Sequence, residues 1–182
     1  ESLNPQALGG VRKTHNRVER FESLVRALHE RDIMINGSFV FGLDGDTPGV
    51  FATTRDWIVA QKIETVTSHI LTPYPGTAQY ARLAAEERIV DHDLAHYDTA
   101  HVVFRPLGMS ADELLAGYLW LYEQIYSWPN IVRRLPDSPR QRMPYLLFNL
   151  LYRKYGRLTE GLCRAASFER VGRLSRRLAY GV

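Results

Sequence analysis

A chain of 182 residues, 45% apolar and 24% charged, suits one globular domain or a domain fragment with a helical appendage, and it is too apolar for extended disorder. No uninterrupted apolar run approaches the roughly 18 residues needed to cross a bilayer, and the single cysteine, Cys163, excludes an internal disulfide and a cysteine metal cage. The net charge of +3 hides an asymmetry, because residues 1–130 carry 11 Lys and Arg against 17 Asp and Glu while residues 131–182 carry 12 against 3.

In chain order, residues 1–14 read as a loop broken by Pro5 and Gly9-Gly10. Val18, Phe21, Leu24, Val25 and Leu28 recur at helical spacing and predict an amphipathic helix from His15 to Arg31. Ile33 to Phe41 is apolar at nearly every position and predicts a strand covered on both faces. Gly42-Leu-Asp-Gly-Asp46 is a turn, after which Asp46 or Thr47 is a candidate cap for a helix running through Trp57 to about Gln61. Thr65 to Leu71, rich in β-branched residues, predicts a second strand. Thr72-Pro-Tyr-Pro-Gly76 then leads into a helix from Thr77 to Glu87. Helix–strand–helix–strand–helix order implies parallel crossovers, with both strand-to-helix loops opening on one sheet edge.

Beyond Arg88 the pattern changes. Asp91 to Asp98 is polar, and His101 to Phe104 is extended and closed by Pro106. Ser110 with Glu113 forms a capping box for a long helix from Ala111 to about Ser127, with Leu114, Leu115, Tyr118, Leu121, Tyr122 and Ile125 on its buried side. Two further helices are expected over residues 145–155 and 159–180. The division follows: 1–108 as the α/β part and 109–182 as a helical extension with a basic tail.

Chemistry is concentrated at the two strand ends. Glycines at 42 and 45 permit close backbone approach to a ligand, and Asp46 can accept from a hydroxyl or amine; a tight ligand-free turn uses the same residues. Pro73 and Pro75 fix an extended backbone whose amides and carbonyls could grip the edge of a flat heterocycle, or which serves as a rigid connector. The six histidines show no metal spacing. His69, near the second strand's end, either faces an interior site or is packed and hydrogen-bonded. No Ser/His/Asp elbow, P-loop or paired-carboxylate signature is present, so the catalytic residues are not identifiable.

Glu1-Ser2, Lys13-x-His15-Asn16, Asn36 to Asp46, Val50-Phe51, Ile70 to Thr77, Glu87-Arg-Ile89, Tyr97 to Pro106, Met109 to Leu114 and Tyr122 to Arg134 together resemble the C-terminal half of the radical S-adenosylmethionine core in enzymes of the cobalamin (B12)-binding-domain class. The resemblance covers about residues 1–135. It implies the rear half of a partial (β/α)6 barrel that binds S-adenosylmethionine against a 4Fe–4S cluster and generates a 5′-deoxyadenosyl radical for methylation or rearrangement at an unactivated carbon, with cobalamin as a further cofactor. It places Glu1 and Ser2 at the end of the fourth strand, Ser38, Val40 and Gly42 along the fifth, and Leu71, Thr72 and Pro73 at the sixth, all as cofactor contacts. Asp46, His69 and Tyr74 fall on the substrate side.

The departures from that pattern are as informative. The C-x-x-x-C-x-x-C loop, the first three strands and the cobalamin domain have no counterpart in this sequence, so no metal ligand is assigned. The chain is expected to be a fragment, inactive without an N-terminal half. A small-molecule or lipid-like substrate is expected, with no nucleic acid favoured. Leu146 to Leu151 beside Arg153 and Lys154 read either as a helical cap over the barrel or as a peripheral contact with an anionic membrane. The expected location is the cytoplasm, including the inner membrane face. Two alternatives remain: a methylthiotransferase-like enzyme acting on RNA, and a non-catalytic α/β module that binds a nucleotide or a partner.

Overall fold

The computed structural model describes residues 2–4 and 20–165, with side chains as far as Arg153. Glu1, the Lys13 to Asn16 segment, the first turn of the expected leading helix and the tail beyond residue 165 lie outside the described residues. The elements are α1 (Phe21–His29), β1 (Asn36–Phe41), α2 (Val50–Ala60), β2 (Thr65–Ile70), α3 (Ala78–Ala85), a 3-10 turn (Leu94–His96), α4 (Ala111–Ile125), α5 (Trp128–Arg133) and α6 (Pro139–Ala165).

β1 and β2 pair in parallel, Asn36 opposite Thr65 through Phe41 opposite Ile70. The connection through α2 is the crossover that parallel strands require. The chain is therefore α/β, with a two-stranded sheet rather than a barrel among the described residues. β1 is shorter than the run from Ile33 suggests, and it is covered on one face only. Phe39 and Phe41 are buried, whereas Asn36 and Ser38 are exposed and Val40 is half-buried. The period of two decides this: the helices lie on the side of Phe39 and Phe41, while the other face keeps Asn36 and Ser38 exposed and is approached by Thr99 at His69.

The core forms beneath that covered face. Phe41 meets Phe51 of α2 at 4.9 Å between ring centroids, and Phe39 stands edge-on to Trp57 at 6.3 Å. Val66 and Ile70 of β2 join Ile58, Leu114, Leu121 and Ile125 in the same cluster, so α4 shares one core with the two βα units. The capping box is formed, with Ser110 Oγ accepting from the Glu113 amide at 3.1 Å and Glu113 accepting from the Ser110 amide at 2.7 Å. Leu115, expected inward, is exposed, because Leu114 already takes the core position.

Neither Asp46 nor Thr47 caps α2 through its side chain; the helix begins after Gly49. Asp46 is instead drawn back into the turn. Residues 101–104 form no strand: Phe104 makes an isolated antiparallel bridge to Ile89. The helix expected from Ala111 to Ser127 ends at Ile125, and α5 starts anew with Pro129 in its first turn. Residues 145–155 and the first residues of the second expected helix lie in one helix, α6, that runs through Pro144; the rest of that second helix lies outside the described residues. Pro144 lies past the free N–H groups of the first turn, so the helix forgoes the bond its amide would have made to the Arg140 carbonyl.

Candidate functional site

The uncovered sheet face is polar and narrow. Register places Ser38 beside Thr67 and Val40 beside His69, with Asn36 beside Thr65 below them. Successive side chains alternate, so all six share the face opposite the core. His69 is half-buried and its Nδ1 lies 3.1 Å from Thr99 Oγ1. Thr99 adopts a φ of +68°, a strained value for a β-branched residue. Its carbonyl accepts from the Ile70 amide at 2.8 Å, which holds the segment against the end of β2.

At the C-terminal edge of the sheet the chain turns on Gly42 and Gly45, whose φ values of +89° and +95° require glycine. The two acids of this turn do opposite jobs. Asp46 is buried and accepts from the Gly42 and Leu43 amides at 3.1 and 3.0 Å. Burial pushes its carboxyl up to about 6, against the pull of those two amides and of Asn4. Asp44 points outward, where it accepts from Arg88 at 2.9 Å and pairs with Arg82 at 2.6 Å. Burial alone would raise its pKa; the two guanidinium groups outweigh that and hold it below the ordinary carboxylate value. Arg88 also binds Glu86 and the Arg105 carbonyl, so this cluster ties the turn after β1 to the turn after α3.

The other expected contacts fall around the same edge. Ser2 is buried, its Oγ accepting from the Asn4 amide at 3.0 Å, and Asn4 Nδ2 donates to the Gly45 carbonyl at 3.0 Å. Residues 2–4 thus lie beside the turn that follows β1. The Leu71 amide donates to the Phe41 carbonyl at 2.8 Å, extending the ladder to the strand ends. Thr72 is half-buried with its hydroxyl on the Ile70 carbonyl, Pro73 is buried, and Tyr74 is exposed. Ser38, Val40, His69 and the Leu71–Pro73 backbone therefore gather at one face and its upper rim, whereas a Cβ on Gly42 would meet Leu114 and Phe104 of the core. Asp46 is turned into the turn rather than toward that face.

Sequence reasoning missed three features here. Tyr122 and Tyr126 of α4 bond the outer edge of β2: Tyr122 Oη accepts from the Ser68 amide at 2.9 Å, and Tyr126 Oη donates to the Val66 carbonyl at 2.9 Å. The outer edge of β2 is therefore closed in part by tyrosine hydroxyls. The Asp44–Arg82–Arg88 cluster was equally hidden, since its members are 44 residues apart at the extremes. The third is a stack of His96 on His101, 4.8 Å between ring centroids, each imidazole bonded through Nδ1 to its own carboxylate, Asp91 or Asp98. The bond to Asp91 raises the His96 pKa.

A cleft of about 450 Å³ lies at the opposite, N-terminal end of the strands, lined by His29, Lys62, Glu64 and Gln141. Its charges pair internally, His29 with Glu64 at 3.2 Å and Lys62 with Asp137 at 2.5 Å. Among the described residues no group of three or more His, Cys, Asp or Glu side chains could hold a metal ion.

Two parallel βα units with a polar face and glycine-rich turns at their C-terminal edge define an α/β ligand-binding architecture. The comparisons narrow this. Residues 77–145 match a family described as a domain of unknown function, DUF4070. The chain is 34% identical over 139 residues to the bacteriochlorophyllide d C-12(1)-methyltransferase of Chlorobaculum tepidum, covering 76% of this chain and 30% of that protein. It is 25% identical over 158 residues to the bacteriochlorophyllide d C-8(2)-methyltransferase of the same organism (85% and 34%), and 30% identical over 93 residues to the hopanoid C-2 methylase of Rhodopseudomonas palustris strain TIE-1 (51% and 18%). These matches support a radical S-adenosylmethionine methylase family, and the chain spans 18 to 34% of the length of these relatives.

Proposed function

We propose that this chain is the C-terminal part of a cobalamin-dependent radical S-adenosylmethionine methylase that methylates an unactivated carbon of a large apolar substrate. The similarity to a methyltransferase across 139 residues carries the reading. The relatives' named substrates, a bacteriochlorophyllide and a hopanoid, suggest the substrate class.

The geometry supports an S-adenosylmethionine site against the open face. Ser38 offers a hydroxyl, Val40 an apolar surface for a flat base, and the Leu71–Pro73 backbone a rigid rim at the strand ends. Bound there, the cofactor supplies a radical that takes hydrogen from carbon. A 4Fe–4S cluster does not fit the described residues, and the one cysteine of the chain, Cys163, cannot supply three thiolates. Its ligands, and the cobalamin site, are assigned to the remainder of a longer protein.

The test compares the 182-residue chain with a longer protein that carries the C-x-x-x-C-x-x-C segment, both reconstituted anaerobically with iron and sulfide. The longer protein is expected to show cluster absorption, retain cobalamin and form 5′-deoxyadenosine; the short chain should do none of these. In the longer protein Val40→Trp should weaken S-adenosylmethionine binding at least tenfold in equilibrium dialysis while cluster content stays unchanged. Undiminished binding would overturn the assignment of this face.

A further inference from the structure

One helix of this molecule carries large apolar side chains on its exposed side. The inward side of α6 is spent on the core: Gln141, Tyr145 and Asn149 follow one another at single turns and are all buried. Tyr145 Oη donates to the Ile131 carbonyl at 2.6 Å, and Asn149 Nδ2 donates to the Glu64 carbonyl at 3.0 Å. Met143, Leu147 and Leu151 lie on the opposite side, and Phe148 on the flank of α6 and Val132 and Trp128 of α5 are exposed as well. Met143 is 75% exposed, Val132 67% and Leu147 60%. Large exposed apolar side chains grouped on one helix mark a candidate interaction surface.

The charges around it are of one sign. Between residues 128 and 153 the charged side chains are Arg133, Arg134, Arg140, Arg142, Arg153 and Asp137. Arg134 is buried, and Asp137 is neutralised by Lys62. The exposed remainder is cationic. Arg142 and Arg153 donate to backbone carbonyls; Arg142 also acts on Asp137, and Arg153 lies over the Trp128 ring at 5.1 Å. A second copy of the chain would bring like charges together around this layer. An anionic lipid surface offers both complements at once: an acyl boundary for Leu147, Phe148 and Trp128, and headgroup phosphates for the arginines.

We infer that the outer face of α5 and α6 docks on an anionic lipid surface, with α6 lying in the plane of the interface. No helix among the described residues is long and apolar enough to cross a membrane, so the contact is peripheral. It stands on the exposed face alone and does not depend on the methylase reading.

The test is co-sedimentation of the 182-residue chain with phosphatidylcholine vesicles containing about one-third phosphatidylglycerol, against vesicles of phosphatidylcholine alone. Partition should be strong only with the anionic vesicles and should fall with added salt. Leu147→Glu with Phe148→Glu should lower it at least tenfold, and Arg133→Gln with Arg140→Gln about fivefold for each arginine. Both pairs are exposed, and unchanged near-ultraviolet circular dichroism would confirm that the fold is intact. Equal binding to both vesicle types, or anionic binding indifferent to both double variants, would overturn the inference. So would concentration-dependent self-association that Leu147→Glu abolishes, because the face would then be an interface between copies.

Discussion

Asp46 is the residue at which local chemistry and function meet most closely. Its carboxylate holds the Gly42 and Leu43 amides in a turn that only glycines can make, yet burial raises its pKa to about 6. The native state therefore binds a proton at pH values where the unfolded chain, at an ordinary 3.8, has lost it. Stability falls as the pH rises from about 4 to about 6 and is level above that, a cost on the order of 2–3 kcal/mol for two pKa units. Asp46→Asn keeps an acceptor for the amides without a buried charge. Thermal melts between pH 4 and 7 should lose this slope in the variant, and its melting temperature at pH 7 should equal or exceed that of the parent. The sequence placed an acid beside two glycines at a strand end; it could not tell whether that acid faced a ligand or its own backbone, because Leu43, Asp44 and Asp46 compete for the same small turn.

At the scale of elements, α4 approaches α2 closely because Gly117 has no side chain. A Cβ there would strike the ring of Phe51. Alanine is worth about 1 kcal/mol over glycine inside an isolated helix, but overpacking a filled core costs roughly 1–3 kcal/mol. Gly117→Ala is thus expected to lower stability in urea titrations despite the better helix former, and Phe51→Leu in the same chain should restore part of the loss. The capping box of α4 and the β-branched run of β2 were legible because each depends on neighbours in sequence. The one-sided burial of β1 was not, since an apolar run looks alike whether one face or both are covered. The start of α6 before Pro144 was also unreadable, because a proline inside the first turns of a helix and a proline just ahead of one give the same local signal.

For the molecule as a whole, Arg134 joins the C-terminal helices to the base of the sheet. It is fully buried and donates to the Ile63, Glu64 and Ile125 carbonyls and to Asn149 Oδ1, at 2.8 to 3.3 Å. Burial lowers its pKa, with Glu64 acting in the opposite direction. Arg134→Met would leave several buried acceptors without donors, and a loss of about 3–5 kcal/mol is expected in denaturant titrations. Arg134→Lys should recover little, because a single ammonium cannot serve the spread of acceptors that the planar guanidinium reaches. Tyr122 and Tyr126 act at the same scale. They close the outer edge of β2, which would otherwise offer unpaired amides and carbonyls to another chain. Among the described residues no strand pairs with the other edge of β1.

The sequence by itself determined the two βα units, the glycine turn after β1, the proline-bounded segment after β2 and the capped long helix. Each rests on residues within a turn or two of one another, where periodicity and backbone preference act. Tertiary structure alone decided which face of β1 stays open, that Asp46 turns inward while Asp44 meets Arg82 and Arg88, and that Arg134 and two tyrosines weld the helical segment to the sheet. Those outcomes depend on which distant groups arrive together, and hydrogen-bonding capacity does not name its partner until the chain has folded.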